Sequence, residues 1–237
     1  MKRTSILATL GMFCASVLMA AEGDDAKAQV KAAAKKLGDN YSWTSTPKIE
    51  GGGGGAQFRP GPTEGQTANG IVYLKSSFGD RTIESASKGE KVLFKGEDGW
   101  EMVEADAEGP GQFIGRRMRS FKAPAVETAE LADKTKSLKS ADGVITGDLT
   151  EEGAKEMLTF GRRGGGGGDR PAPKDAKGSV KYWIKDGALT KYEINVSGKV
   201  TNRDGDEVTT TRTTTVEVKD VGKTKLGLSE ENQKKLS

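Results

Sequence analysis

The chain has 237 residues, 37 of them basic and 34 acidic, with no histidine and one cysteine. A net charge of +3 gives no basic field for nucleic acid, and a lone cysteine, Cys14, excludes an internal disulfide. No His/Cys set has metal-ligand spacing and no histidine can act as a base, so neither a metal nor a cofactor is expected.

Residues 1–21 differ in kind from the rest. Lys2-Arg3 is a charged start, Ile6 to Met19 an apolar run, and Ala20-Ala21 supply small residues for cleavage. This is the pattern of a secretory signal peptide, too short for a typical membrane span. Met12-Phe13 precede Cys14, where a lipidation signal would place small residues. Removing Lys2 and Arg3 leaves a net charge of +1, so any electrostatic role must be local. Residues 22–237 are expected to form a single exported domain, periplasmic or in the cell envelope and soluble after cleavage.

In chain order, Asp24-Asp25 are placed to cap a helix whose apolar face is Ala26, Val30, Ala33 and Leu37, ended by Gly38. A strand follows from Tyr41 to Ile49. Residues 51–65 begin with five glycines and carry Pro60 and Pro62, which reads as a loop. A first meander of strands covers Ile71–Phe78, Arg81–Ser87, Lys91–Lys95 and Trp100–Glu104, separated by glycine-bearing turns. Gly111 to Phe121 sets Ile114, Met118 and Phe121 on one helical face. Pro124 can open a second helix to about Lys134. A hairpin through Asp142-Gly143 leads to Thr150, which is placed to cap a helix from Glu151 to about Leu158. A second glycine-rich loop, 161–177, precedes the most regular stretch of the chain.

That stretch runs from Gly178 to Gly222. Val180, Tyr182 and Ile184 alternate with polar residues, as do Tyr192, Ile194, Val196 and Val200, then Val216 and Val218. Asp186-Gly187 and Asp204-Gly205 separate the runs. Period-2 alternation broken by Asp-Gly predicts an antiparallel meander with one buried face. Ser229 is placed to cap a last short helix. The two halves share a pattern, a five-glycine run followed by Arg-Pro-x-Pro and then Gly-x-Val at Gly70 and Gly178. Internal duplication and convergent loop expansion both explain it.

The first meander reads Gly70-Ile-Val-Tyr-Leu-Lys75, then Gly89-Glu-Lys-Val92, then Asp98-Gly99-Trp100. With an N-terminal helix before it, this resembles the lipoprotein-localisation-factor family (LolA/LolB-like). The run from Val180 to Val196 is similar to the last strands of the wider superfamily of exported lipid carriers. The resemblance implies a β-rich α+β fold, a curved unclosed antiparallel half-barrel with helices on its concave face and acyl chains held between. It implies a hydrophobic ligand or a lipoprotein as partner. Where the family has an R-P-G-x-F-R-W-like segment, this chain reads SFGDRTI from Ser77 to Ile83, and only Arg81 matches a family arginine.

Candidate cavity residues under that reading are Val30, Leu37, Ile114, Met118, Phe121, Tyr182, Tyr192 and Ile194. Each could equally be plain core between sheet and helices. Arg81, Arg116, Arg117, Arg162 and Arg163 are candidates for a head group or a membrane surface, or else a solvated helix face plus a loop. No catalytic residue is expected: Glu97-Asp98 and Asp204–Glu207 sit at predicted turns, and neither glycine run ends in Gly-Lys-Ser/Thr. Two functions stand side by side. One is non-enzymatic binding of an acyl-chain ligand; the other is an envelope interaction module with a filled core that docks a protein or polymer through its loops and basic rim.

Overall fold

A computed structural model of the chain describes residues 23–51, 60–104, 109–159, 171–202 and 205–237. The expected signal peptide, Arg162, Arg163, Asp204 and both glycine runs beyond Gly51 lie outside these residues. The elements are α1 (Asp24–Lys35), β1 (Tyr41–Gly51), β2 (Pro60–Ala68), β3 (Ile71–Phe78), β4 (Arg81–Lys88), β5 (Lys91–Gly96), β6 (Gly99–Met102), α2 (Gly109–Arg119) and α3 (Pro124–Asp133). They continue with β7 (Thr135–Ala141), β8 (Val144–Leu149), α4 (Glu151–Thr159), β9 (Lys174–Lys185), β10 (Ala188–Thr201), β11 (Glu207–Lys219) and α5 (Glu230–Lys235).

All eleven strands form one antiparallel sheet in the order β6-β5-β4-β3-β2-β1-β11-β10-β9-β8-β7. The chain walks outward from β1 to the edge at β6. It is then carried by α2 and α3 to the opposite edge at β7, and walks back until β11 pairs with β1. Among the described residues, only the β1–β11 pairing joins strands that are not consecutive in sequence. The sheet is curved and unclosed, a half-barrel with α1 to α4 on its concave face.

Local chemistry explains the hairpins. Asn69-Gly70, Asp142-Gly143 and Asp186-Gly187 have positive φ at both residues, the geometry that matches the twist of the flanking strands. In β10 and β11 the period of two carries Tyr192, Ile194, Val196, Val216 and Val218 to the concave side, where they join one core with Val30, Leu37, Leu131 and Tyr182. Neighbouring residues of β3 and β5 split between the two faces. Leu74 and Val92 belong to that core, whereas Ile71, Tyr73 and Leu93 form a second cluster with Leu228 and Leu236 on the convex side.

Three expectations are corrected. Residues 60–65 are not loop: they form the first part of β2, between β1 and β3. Residues 174–177, expected in the second loop, open β9. The residue before the first helical one is Gly23, so Asp24 and Asp25 lie in the first turn of α1 and act on its dipole without capping it. The last helix, α5, adds a cover the sequence reading did not assign: Leu228 before it and Leu236 after it pack on the convex face of β3–β5. The sequence pattern omits this because β3 and β5 carry apolar residues at both alternating positions, so no polar face marks the side that must be covered.

A candidate ligand cavity where two strands part

The β1–β2 ladder runs from Tyr41–Thr67 to Ser45–Thr63 and then stops. Beyond that point β1 continues along β11 to Gly51, while β2 continues along β3 with an irregular register between Pro60 and Thr63. Prolines sit where the ladder ends: Pro47 on β1, Pro60 and Pro62 on β2. Proline has no N–H to donate, so it is placed at ladder ends and irregularities. The sheet therefore forks, and a cavity of about 250 Å³ opens at the fork beneath α3 and α4.

Its walls are mostly apolar. Trp43, Pro47 and Ile49 come from β1, Ile194 and Tyr192 from β10, Val216 from β11, Phe121 from the α2–α3 connection and Met157 from α4. Trp43 and Phe121 stack with ring centroids 6.1 Å apart and planes 11° off parallel. Trp43 can occupy this position because Gly65 faces it on β2: a Cβ there would lie 2.0–2.1 Å from the indole.

One corner is polar and deep. Tyr192, with no exposed surface, donates its hydroxyl hydrogen to the Glu127 carboxylate, and Arg212 donates to the Met157 carbonyl oxygen. Burial pushes the Glu127 carboxyl above the ordinary glutamate range, with Tyr192 and Arg212 only partly opposing it. The same desolvation pushes the Tyr192 hydroxyl well up and the guanidinium groups of Arg212 and Arg117 down. Tyr41 accepts a hydrogen bond of 3.1 Å from the Ala125 amide at the start of α3. The hydroxyls of Tyr182 and Thr128 are buried with no hydrogen-bond partner among the described residues. At the mouth, Lys122 pairs with Glu130 and Lys134 with Glu156. Arg117 lies 5.4 Å from the Phe78 ring centroid and donates to Ser76 Oγ at 3.3 Å.

The cavity brings together only part of the residue set expected from sequence. Phe121, Tyr192, Ile194 and Arg117 line it. Val30, Leu37, Ile114, Met118 and Tyr182 are packed into the core, and Met118 Sδ accepts a 3.1 Å hydrogen bond from Ser85. Arg81 and Arg116 are exposed and line no part of it.

Two cavity residues with a legible signal were missed. The concave side of β11 reads Val208, Thr210, Arg212, Thr214, Val216, Val218, so a charge interrupts an inward-facing row. Glu127 falls on the buried stripe of α3 with Pro124, Thr128 and Leu131, a carboxylate at a core spacing.

A second depression, of about 430 Å³, lies across β7–β10 and is lined by polar side chains such as Lys139, Asp148, Lys181 and Glu193. It is a wide trough whose walls offer little to an apolar chain. The chain matches no protein-family model, and no curated protein matches it either.

Proposed function

We propose that this protein is a non-enzymatic binding protein that holds an acyl-chain or other hydrophobic ligand, a lipid or the lipid part of a lipoprotein, in the cell envelope. The observation that carries the reading is the apolar cavity at the β1–β2 fork, roofed by α3 and α4. Such a cavity removes apolar surface from water, worth about 25 cal/mol for each Å² covered. Its entrance is built into the strand ladder by Pro47, Pro60 and Pro62. The basic residues near the mouth, Lys122 and Lys134, would face a membrane surface during transfer.

Solvent extraction of the purified protein followed by mass spectrometry tests this. Lipid should be recovered from the wild-type chain and lost from Ile194→Lys, which sets a charge in the cavity wall. An extract free of lipid, together with no uptake of added lipid, would contradict the reading.

A second reading, an envelope interaction module docking through its loops and basic rim, is favoured by the exposure of Arg81 and Arg116 and by the five expected cavity residues that fill the core. It predicts an affinity that depends on Arg116 and falls steeply with salt.

A further inference from the structure

We propose that the cavity takes one medium-length chain with a single anionic head group, and that Arg117 is the side chain that meets the head group. The inference rests on the cavity being a ligand site, and adds chain number, head-group charge and the anchor.

Chain number follows from length and volume together. The lining crosses four neighbouring strands, β2, β1, β11 and β10, which at about 4.8 Å from strand to strand makes roughly 14 Å. A cavity of about 250 Å³ takes roughly eight water- or methylene-sized groups at about 30 Å³ each. Spread over that length, such groups lie in single file. That is one medium chain, and not the bundle of chains on a triacylated lipoprotein.

Head-group charge and its anchor follow from the lining. Four cations line the cavity, Arg117, Lys122, Lys134 and Arg212, against three carboxylates, Glu127, Glu130 and Glu156. Each carboxylate is already engaged by the protein. Glu130 pairs with Lys122 and Glu156 with Lys134 at the mouth. Glu127 accepts from Tyr192 and is charge-coupled to Arg212, which also donates to the Met157 carbonyl. That corner closes on itself. Arg117, half-buried on α2, is the remaining cation, and it has no carboxylate partner among the described residues. Its contacts are the Ser76 hydroxyl at 3.3 Å and the Phe78 ring centroid at 5.4 Å. A charge-assisted N–H···O bond usually measures about 2.7–2.9 Å, so the serine contact is a weak one. Ser76 and Phe78 hold the guanidinium in place without neutralising it. With five N–H donors it can keep Ser76 and still present two of them to a carboxylate. Positive charge withdrawn from water is costly until an anion joins it. A quaternary ammonium head group would meet a like charge there and gain nothing.

The test is calorimetric titration of the full chain with decanoate, 1-decanol, decyltrimethylammonium and a tripalmitoylated lipopeptide. Decanoate should bind one to one and at least about tenfold more tightly than 1-decanol, with the cationic chain weakest and the lipopeptide not held. Arg117→Gln should bring decanoate down to the level of 1-decanol and leave 1-decanol as it was. Arg117→Lys should keep part of the preference, and Lys122→Gln all of it. In the wild type, the Arg117 side-chain ¹⁵N resonance should move with decanoate and stay in place with 1-decanol, a readout that does not depend on Arg117→Gln folding. Equal binding of decanoate and 1-decanol, or tightest binding of the cation, overturns the charge assignment and leaves the cavity reading standing. A preference that survives Arg117→Gln, or falls as far with Lys122→Gln, overturns the anchor, as does an Arg117 resonance indifferent to bound decanoate. Lipopeptide binding as tight as decanoate overturns the single-chain assignment. No binding of any chain removes the cavity reading and this inference together.

Discussion

Tyr192, fully buried on β10, donates its hydroxyl hydrogen to Glu127 on α3 across the polar corner of the cavity, whereas Tyr182, its cross-strand partner on β9 and equally buried, donates to nothing among the described residues. The pair separates two costs that burial usually mixes. Tyr192→Phe leaves a buried acceptor without its donor and should cost about 1–3 kcal/mol. Tyr182→Phe removes a hydroxyl that gains no hydrogen bond, and should fall within about 0.5 kcal/mol of the wild type or stabilise it. Urea unfolding of the two variants makes the comparison.

The position of Glu127 also sets a pH dependence. Burial raises its folded-state pKa above the ordinary value of 4.5, so the folded chain holds this proton more tightly than the unfolded chain does. The resulting stabilisation is complete below the unfolded pKa and is lost as pH rises toward the raised folded value. The difference in unfolding free energy between wild type and Glu127→Gln should therefore move against the wild type as pH rises through that window. A pH series of denaturant melts reads it, and Tyr192, Arg212, Glu130, Lys122, Tyr41 and Tyr182 are the other charged or titratable groups acting on this corner.

Gly65 and Trp43 face each other at the middle of the β1–β2 ladder. Gly65→Ala would drive a methyl into the indole, where the separation would be 2.0–2.1 Å, so Trp43 must leave its stack with Phe121. The expected cost is about 1–3 kcal/mol of overpacking, with a changed tryptophan emission spectrum. An unchanged spectrum and stability would mean the ring does not sit on Gly65.

The segment from Leu226 to Leu236 closes the convex face over Ile71, Tyr73, Ala86 and Leu93. Gly227 N–H donates to the Gln66 side chain at 2.6 Å and Lys91 donates to the Ser237 carbonyl, so the segment is fastened at both ends. Leu228→Ala and Leu236→Ala should each cost about 2–5 kcal/mol while leaving the uptake of an added single-chain fatty acid by the folded protein unchanged. Thermal melts and titration check the two halves of this statement.

Much of the fold was legible because alternation is a strong signal: the strands of the meander from Val180 to Val218, the strands from Ile71 to Met102, the helices at Pro124 and Glu151 and the turns at Asp142-Gly143 and Asp186-Gly187 are where the pattern puts them. The region after Gly51 was not. Its prolines and glycines mark a loop in most chains, yet here Pro60 and Gly61 belong to β2, whose irregular edge makes the fork. What decides that case is the pairing of β2 with β3 through Asn69-Gly70 and with β1 on its other side, an outcome that composition does not carry. The cavity was half legible. Phe121, Tyr192 and Ile194 carry the apolar signature, but so do Val30, Leu37, Ile114, Met118 and Tyr182, which pack as core. Hydrophobicity names the residues that leave water; the angle between strands and helices decides which of them meet a void. The sharper signals were the misplaced charges, Arg212 in an inward row and Glu127 on a buried helical stripe.

The most direct test of ligand binding at the fork is a nuclear Overhauser experiment with ¹³C-labelled decanoate on the full chain. Cross-peaks from the chain methylenes to the Trp43 and Phe121 rings and to the Ile194 methyls are predicted, since these side chains form the cavity wall. Cross-peaks only to convex-face residues such as Lys181 or Trp183, or none at saturating ligand, would contradict it.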